Sequence, residues 1–170
     1  MKKYMSLLGL TLLLAGCGDQ QSFVNSSQPF FIAKVQVWGP PPAGSSDAQL
    51  KDLSDKVTAL NSRVPSTNNP VLLSLRITKF HKKNPGISLI VGDANTMELT
   101  GTVMSLDGKT QMGTSVIQVQ QGGEINGVIG MVAAATTSDE FATHALDQKA
   151  ANELLEKVYG TKAWKSWERH

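Results

Sequence analysis

One cysteine, three histidines and fourteen carboxylates carry whatever side-chain chemistry the chain offers. Cys17 has no second cysteine with which to form a disulfide. His81, His144 and His170 do not pair with one another or with Cys17 at ligand spacing, so neither a metal nor any other cofactor is expected. Asp93 with Glu98 or Asp107 would make a carboxylate pair, but nothing in their spacing forces them together. Asp93 in Val91-Gly92-Asp93-Ala94-Asn95 reads as a turn residue that bonds its own backbone. The competing reading makes Asp93 and Asn95 the polar groups of a ligand loop. No Gly-x-Ser-x-Gly elbow supports a Ser-His-Asp triad. Gly108-Lys109-Thr110 has the look of a phosphate loop, but Gly101 lies too far upstream and the segment falls between two strands. Lys79-Phe80-His81-Lys82-Lys83 forms a basic strand end. It reads either as a solvated edge that discourages strand addition, or as a patch (Lys79, His81, Lys82, Lys83) for an acidic partner or a lipid headgroup.

The chemistry of Cys17 is set by what precedes it. Met1-Lys2-Lys3-Tyr4 is positive, and Met5 to Ala15 is an apolar stretch without charge. That stretch is shorter than the ~20 residues a membrane-spanning helix needs. A basic start, a short apolar core and small residues at its end mark a secretory signal. Leu14-Ala15-Gly16-Cys17 resembles the bacterial lipobox. The resemblance implies cleavage after Gly16, a diacylglycerol thioether on Cys17, and further acylation (palmitate or a similar chain) of the new amino group. Each buried CH₂ is worth about 0.8 kcal/mol, and one chain alone attaches only marginally. Two or three chains anchor the protein stably. Gly18, and not aspartate, follows the cysteine. In enteric-type bacteria an aspartate there marks inner-membrane retention, so Gly18 points to the outer membrane, facing the periplasm.

Loss of the signal peptide, residues 1–16, takes the chain from 170 to 154 residues and removes Lys2 and Lys3. Sixteen basic residues become fourteen, matching the fourteen acidic ones, so the mature formal charge is zero. A neutral chain gives no electrostatic case for nucleic acid. Residues 17–29 read as the lipidated cysteine and a flexible, polar tether, whose dozen residues reach ~40 Å when extended. Phe23 and Val24 are the residues in it that could dock. Residues 30–170 suit a single domain with one core.

The elements follow from periodicity. Phe31, Ala33, Val35 and Val37 alternate with Ile32, Lys34, Gln36 and Trp38 as in a half-buried strand, ended by Gly39-Pro40-Pro41-Pro42. Ser46 and Gln49 fit a capping box. Leu50, Leu53, Val57, Leu60 and Val64 then recur at helical spacing up to Pro65. Val71, Leu73, Leu75 and Ile77 mark a second strand, and Met97, Leu99, Gly101 and Val103 a third. Asp107-Gly108 fits a two-residue type I′ turn into a fourth strand, from about Thr110 to Gln121. The apolar phase of that strand shifts between Met112/Val116 and Ile117/Val119, as at a bulge or an edge. Gly127 to Ala135 is apolar and too short to span a bilayer. It is either core or an exposed contact surface. Thr137 to Glu140 caps a second helix carrying Phe141, Leu146, Leu154, Leu155 and Val158 and ending at Gly160, with Trp164 and Trp167 in the tail. The order β-α-β-β-β-α predicts an α+β fold. It consists of a mostly antiparallel sheet of four strands with two helices packed on one face.

Ile87-Ser88-Leu89-Ile90-Val91-Gly92-Asp93-Ala94-Asn95 leads into a strand, an Asp-Gly turn, a strand, a Gly-rich stretch and a helix. Over Val71 to Tyr159 this order resembles a group of small proteobacterial lipoproteins classed only as a domain of unknown function. The resemblance implies an exported, lipid-anchored α+β domain and no particular activity. The functional expectation is therefore a noncatalytic lipoprotein, bound to the membrane through Cys17 and acting through an envelope protein. The alternatives are a small-ligand binding or hydrolytic periplasmic domain and a surface-displayed protective lipoprotein.

Overall fold

The computed structural model describes residues 20–84, 93–121 and 139–167. Cys17, the apolar run 127–135 and the capping residues Thr137 and Ser138 lie outside them. Strand β1 (Phe31–Val37) leads into helix α1 (Asp47–Asn61) and strand β2 (Pro70–His81). Strands β3 (Asn95–Ser105) and β4 (Gln111–Gln121) follow, then helices α2 (Asp139–Tyr159) and α3 (Thr161–Trp167). The sheet order is β1-β2-β3-β4. β1 runs parallel to β2, with α1 as the crossover, and the other pairs are antiparallel. The α+β fold is as expected, and α3 is an addition to the expected order.

The core lies between the inner face of the sheet and the two long helices. β2 contributes Val71, Leu73, Leu75 and Ile77, and β3 contributes Met97, Leu99 and Val103, all buried. These are the positions the alternation predicts. Ile117 and Val119 of β4 are buried while Val116 is 54% exposed. The reason for the phase shift is a register break opposite Val103 and Met104, which pair with Gly113 and Gln111 and leave Met112 as an extra residue. β1 departs from the expectation in the same way. Its register breaks between Ile32 and Lys34, so Ile32 is buried and Ala33 is exposed. Leu146, Ala150, Leu154, Leu155 and Val158 form the buried stripe of α2. Phe141, expected on that stripe, is 65% exposed.

Gly101 fixes how closely α2 approaches the sheet. A Cβ placed there would stand 2.5 Å from Leu154 Cδ1. At the far end of α2, Gly160 has φ +84°, a left-handed conformation that L side chains adopt only under strain. It lets the chain turn directly into α3, where Trp164 NH bonds the Gly160 carbonyl.

The hairpin between β3 and β4 is longer than a two-residue turn. Ser105 NH bonds the Thr110 carbonyl, and Gly108 NH bonds the Ser105 carbonyl at 2.8 Å. Among the described residues only glycines have positive φ, so Asp107 cannot take the left-handed conformation a type I′ turn demands. Asp107 instead accepts bonds from Ser105 Oγ and Lys109 NH. Those bonds stabilise a four-residue loop.

Residues 20–29, read from their polarity as part of a tether, lie on the domain. Val24 is buried and Phe23 packs against the core. Backbone bonds run from Phe23 NH to the Lys157 carbonyl, from Asn25 NH to the Met112 carbonyl, and from Thr161 NH to the Gln20 carbonyl. Two apolar side chains in an otherwise polar stretch suffice to seat it, because the backbone around them finds partners on β4, α2 and α3.

The domain has two distinct ends. One gathers the starts of β1, β2 and β4 and the C-termini of α1 and α2. Here Tyr159 Oη donates to Asn61 Oδ1 at 2.7 Å and accepts from Ile32 NH at 3.1 Å. Phe30, Trp164 and Trp167 surround the Tyr159 ring with centroids 5.4, 6.3 and 5.2 Å away. The other end holds the start of α1, the start of α2, and the ends of β2 and β4.

Candidate functional site

At that second end, a cleft of about 510 Å³ opens between the first turns of α1, the first turns of α2 and Lys82. Ser46, Gln49, Asp52, His144 and Asp147 line it. Gln49 and Asp147 are the only polar residues counted as buried among the described residues, and both are in its wall.

Local structure explains how Gln49 reaches this position. Ser46 caps α1 by accepting from Gln49 NH. The second half of the expected capping box is not made. The Gln49 side chain turns inward at the head of the stripe Leu53, Val57, Leu60 and donates through Nε2 to Asp147 Oδ1 at 3.1 Å. Asp147 sits beside Leu146 on the buried face of α2. Its Oδ2 is buried without a hydrogen bond of ordinary geometry. Burial pushes the Asp147 carboxyl up to about 7; the Gln49 hydrogen bond opposes it, the neighbouring Asp52 carboxyl adds to it, and Lys56 opposes it least. Asp52 moves the other way. Burial alone would raise it, but Lys56, the Asp147 carboxyl and His144 together hold it below the usual carboxylate range. Two carboxyl groups of one site are thus driven apart in acidity, one able to give a proton and one able to accept a bond.

His144 joins the same cluster. Its Nδ1 lies 2.9 Å from Asp52 Oδ2 and 2.9 Å from Lys56 Nζ. One ring nitrogen cannot serve both at once. Which of the two it serves depends on the tautomer. The cleft can therefore bind a polar or charged group. Among the described residues no group of three or more His, Cys, Asp or Glu side chains could hold a metal ion.

The residues singled out in sequence lie next to this cleft and are mostly engaged with one another. β2 is an interior strand only as far as Leu75, which pairs with Val37 of β1. Lys79, Phe80 and His81 lie beyond that pairing and are bordered by β3 alone, so this end of the strand is an edge, as the basic segment suggests. Lys79 Nζ meets Glu98 Oε2 at 2.9 Å, and His81 Nε2 meets Asp93 Oδ1 at 2.8 Å. Lys82 reaches the cleft wall. Asp93 accepts from Asn84 NH at 2.6 Å and from Ala94 NH at 2.9 Å. Burial would raise its pKa, yet the Asn84 NH, His81 and Ala94 NH outweigh that and hold it below the usual range. Asn95 Oδ1 accepts from Lys83 NH at 2.8 Å. Asp93 and Asn95 thus both bond the backbone just after β2, at Asn84 and Lys83. Cys17 is outside the described residues.

Sequence reasoning missed Asp147 and Asp52, and saw Gln49 only as a cap. One signal was present. Gln49 and Asp147 are the polar residues that fall on otherwise apolar helical stripes.

No protein-family model matches the chain, and no curated protein matches it. Its fold is similar to several solved bacterial structures. A Xanthomonas campestris protein of the DUF330 family is 14% identical, with a TM-score of 0.47, over 81% of this chain and 90% of that one. The PelC dodecamer from Paraburkholderia phytofirmans is 10% identical, with a TM-score of 0.44, over 79% and 95%. A minor lipoprotein from Acinetobacter baumannii is 13% identical, with a TM-score of 0.41, over 76% and 92%. At these identities the similarity concerns the fold alone.

Proposed function

We propose that the chain is a bacterial lipoprotein, anchored through acyl chains on Cys17 to the outer membrane and displayed in the periplasm. On this reading it acts without catalysis, through contacts with an envelope protein. The observation that carries the reading is Leu14-Ala15-Gly16-Cys17 placed directly after a short uncharged apolar core. The test is metabolic labelling with a clickable fatty acid, followed by fractionation on a density gradient. The wild-type chain takes up label and travels with the outer membrane. Cys17→Ser takes up none and is lost from that fraction, and Gly18→Asp shifts the protein to the inner membrane. Equal labelling of wild type and Cys17→Ser refutes the anchor. Crosslinking in intact cells then tests the protein contacts. Consistent recovery of no envelope protein argues against them.

A second reading, a periplasmic domain that binds a small ligand, is favoured by the Gln49–Asp147 pair. A buried carboxyl without a full set of partners costs stability and is kept where a ligand supplies what is missing. The cleft also falls within the size range of small-molecule sites, about 300–1,000 Å³. Thermal-shift screening of small amines and polyols against wild type and Asp147→Ala separates the readings. A ligand that stabilises only the wild type supports the second.

A further inference from the structure

Gln20, the first described residue, and the cleft sit at opposite ends of the domain. Gln20 is already fixed to the protein, its carbonyl accepting from Thr161 NH at the start of α3. Ser22 Oγ donates to the Val158 carbonyl, and Gly160 packs against the Gln20 and Ser22 backbone. Only Gly18 and Asp19 separate Gln20 from Cys17. Three residue steps reach about 10 Å at full extension. A cysteine whose acyl chains enter the bilayer therefore keeps the α2–α3 junction within that distance of the headgroups. A dozen-residue tether would have set no such limit.

The surface brought down is suited to lipid. α3 reads Thr161-Lys162-Ala163-Trp164-Lys165-Ser166-Trp167 and contains two lysines and no carboxylate. Lys162, Lys165 and Ser166 are exposed. Lysines near an anionic surface strengthen binding roughly fivefold each at moderate salt. The cleft residue His144 lies sixteen positions before Gly160 along a continuous helix. That places it about 24 Å further from the anchor.

We propose that the face formed by Gln20–Ser22 and α3 rests on phospholipid headgroups, with Lys162 and Lys165 against their phosphates, and that the Gln49–Asp147 cleft is held facing away from the membrane. This rests on the lipid-anchor reading above. It adds that the domain has one membrane-proximal end, and that a periplasmic partner or ligand approaches the cleft without obstruction from the bilayer.

Depth-dependent quenching tests it. The mature lipidated protein, whose Cys17 thiol is consumed, accepts a single engineered cysteine for a fluorophore. Ser166→Cys reports the α3 face and Ala48→Cys the rim of the cleft. Each is reconstituted in vesicles containing anionic phospholipid and headgroup-level nitroxide lipid, and folding is confirmed by circular dichroism. The expected result is at least threefold stronger quenching at position 166 than at 48, with the difference falling at least twofold when Lys162→Glu and Lys165→Glu are combined. Failure of the protein to float with vesicles overturns the anchor, and the orientation with it. Flotation with equal quenching at 166 and 48 overturns the orientation alone. Quenching at 166 unchanged by the double charge reversal overturns the lysine contacts.

Discussion

Asp147→Asn should make the domain more stable at pH 8 and should remove a pH dependence that the wild type shows between pH 4 and 7. In the folded chain the Asp147 carboxyl is raised from the ordinary 3.8 to about 7, by burial first and by Asp52 second. Within that window the folded protein holds the proton and the unfolded chain has released it. Stability therefore falls as pH rises, and levels off above the folded value. The full rise corresponds to about 4 kcal/mol. Sharing of the proton with Asp52 and partial solvent access reduce this to about 1–3 kcal/mol. Asparagine keeps an acceptor for Gln49 Nε2 and a donor toward Asp52, and it does not titrate. The assay is urea unfolding of the processed chain carrying Cys17→Ser, at half-unit steps from pH 4 to 8. The difference between the two proteins isolates Asp147, because His144, Lys56 and Asp52 face it in both. The variant should gain on the wild type steadily from pH 4 to 7. Parallel stability curves, or a variant weaker at every pH, would refute the account of the buried carboxyl.

Two further substitutions test the packing. Gly101→Ala should cost about 1–3 kcal/mol in urea unfolding, because the added methyl meets the fully buried Leu154 side chain. Val24→Asp places a charge in a buried site and should release residues 20–29. Limited proteolysis then cuts within that segment, while the wild type resists, and global stability falls by about 1–2 kcal/mol.

How much of this was readable beforehand depends on the range of the interactions. Strands β2 and β3 and helix α1 are written in local alternation, and Val71, Leu73, Leu75, Met97, Leu99, Leu53 and Val57 all fall inside as their spacing predicts. Where a bulge intervenes, at Ala33 or Met112, alternation alone assigns faces one residue out of phase. The docking of Phe23 and Val24 was visible only as two apolar residues in a polar run. Their partners, Lys157 and Met112, lie far away in sequence. The cleft was the least legible part. Asp52 and His144 stand 92 positions apart, and Gln49 and Asp147 98 apart. Only the packing of α1 against α2 brings either pair together. A polar residue on an apolar stripe signals that something is paid for in the core, but it does not name the partner.

The two ends of the domain have divided their tasks, and that division is itself measurable. At Tyr159 the hydroxyl has both a donor and an acceptor partner. Its hydroxyl, buried enough for its pKa to be pushed up to about 12, ties β1 to α1 within a cluster of four aromatic rings. Around Asp147 a buried carboxyl oxygen has no hydrogen bond of ordinary geometry and only the Asp52 carboxyl beside it. The first arrangement favours stability, and the second sacrifices some of it. Tyr159→Phe leaves Ile32 NH and Asn61 without their partner and should cost about 1–3 kcal/mol at any pH up to 9. Asp147 and Tyr159 are twelve residues apart on one straight helix, about 18 Å, and share no partner. Sites that far apart add within about 0.5 kcal/mol. The double variant Asp147→Asn with Tyr159→Phe should therefore show the sum of the two single effects at pH 8. A coupling above 1 kcal/mol in that cycle would mean that α2 transmits strain from the cleft to the aromatic end, and that the two ends are one cooperative device.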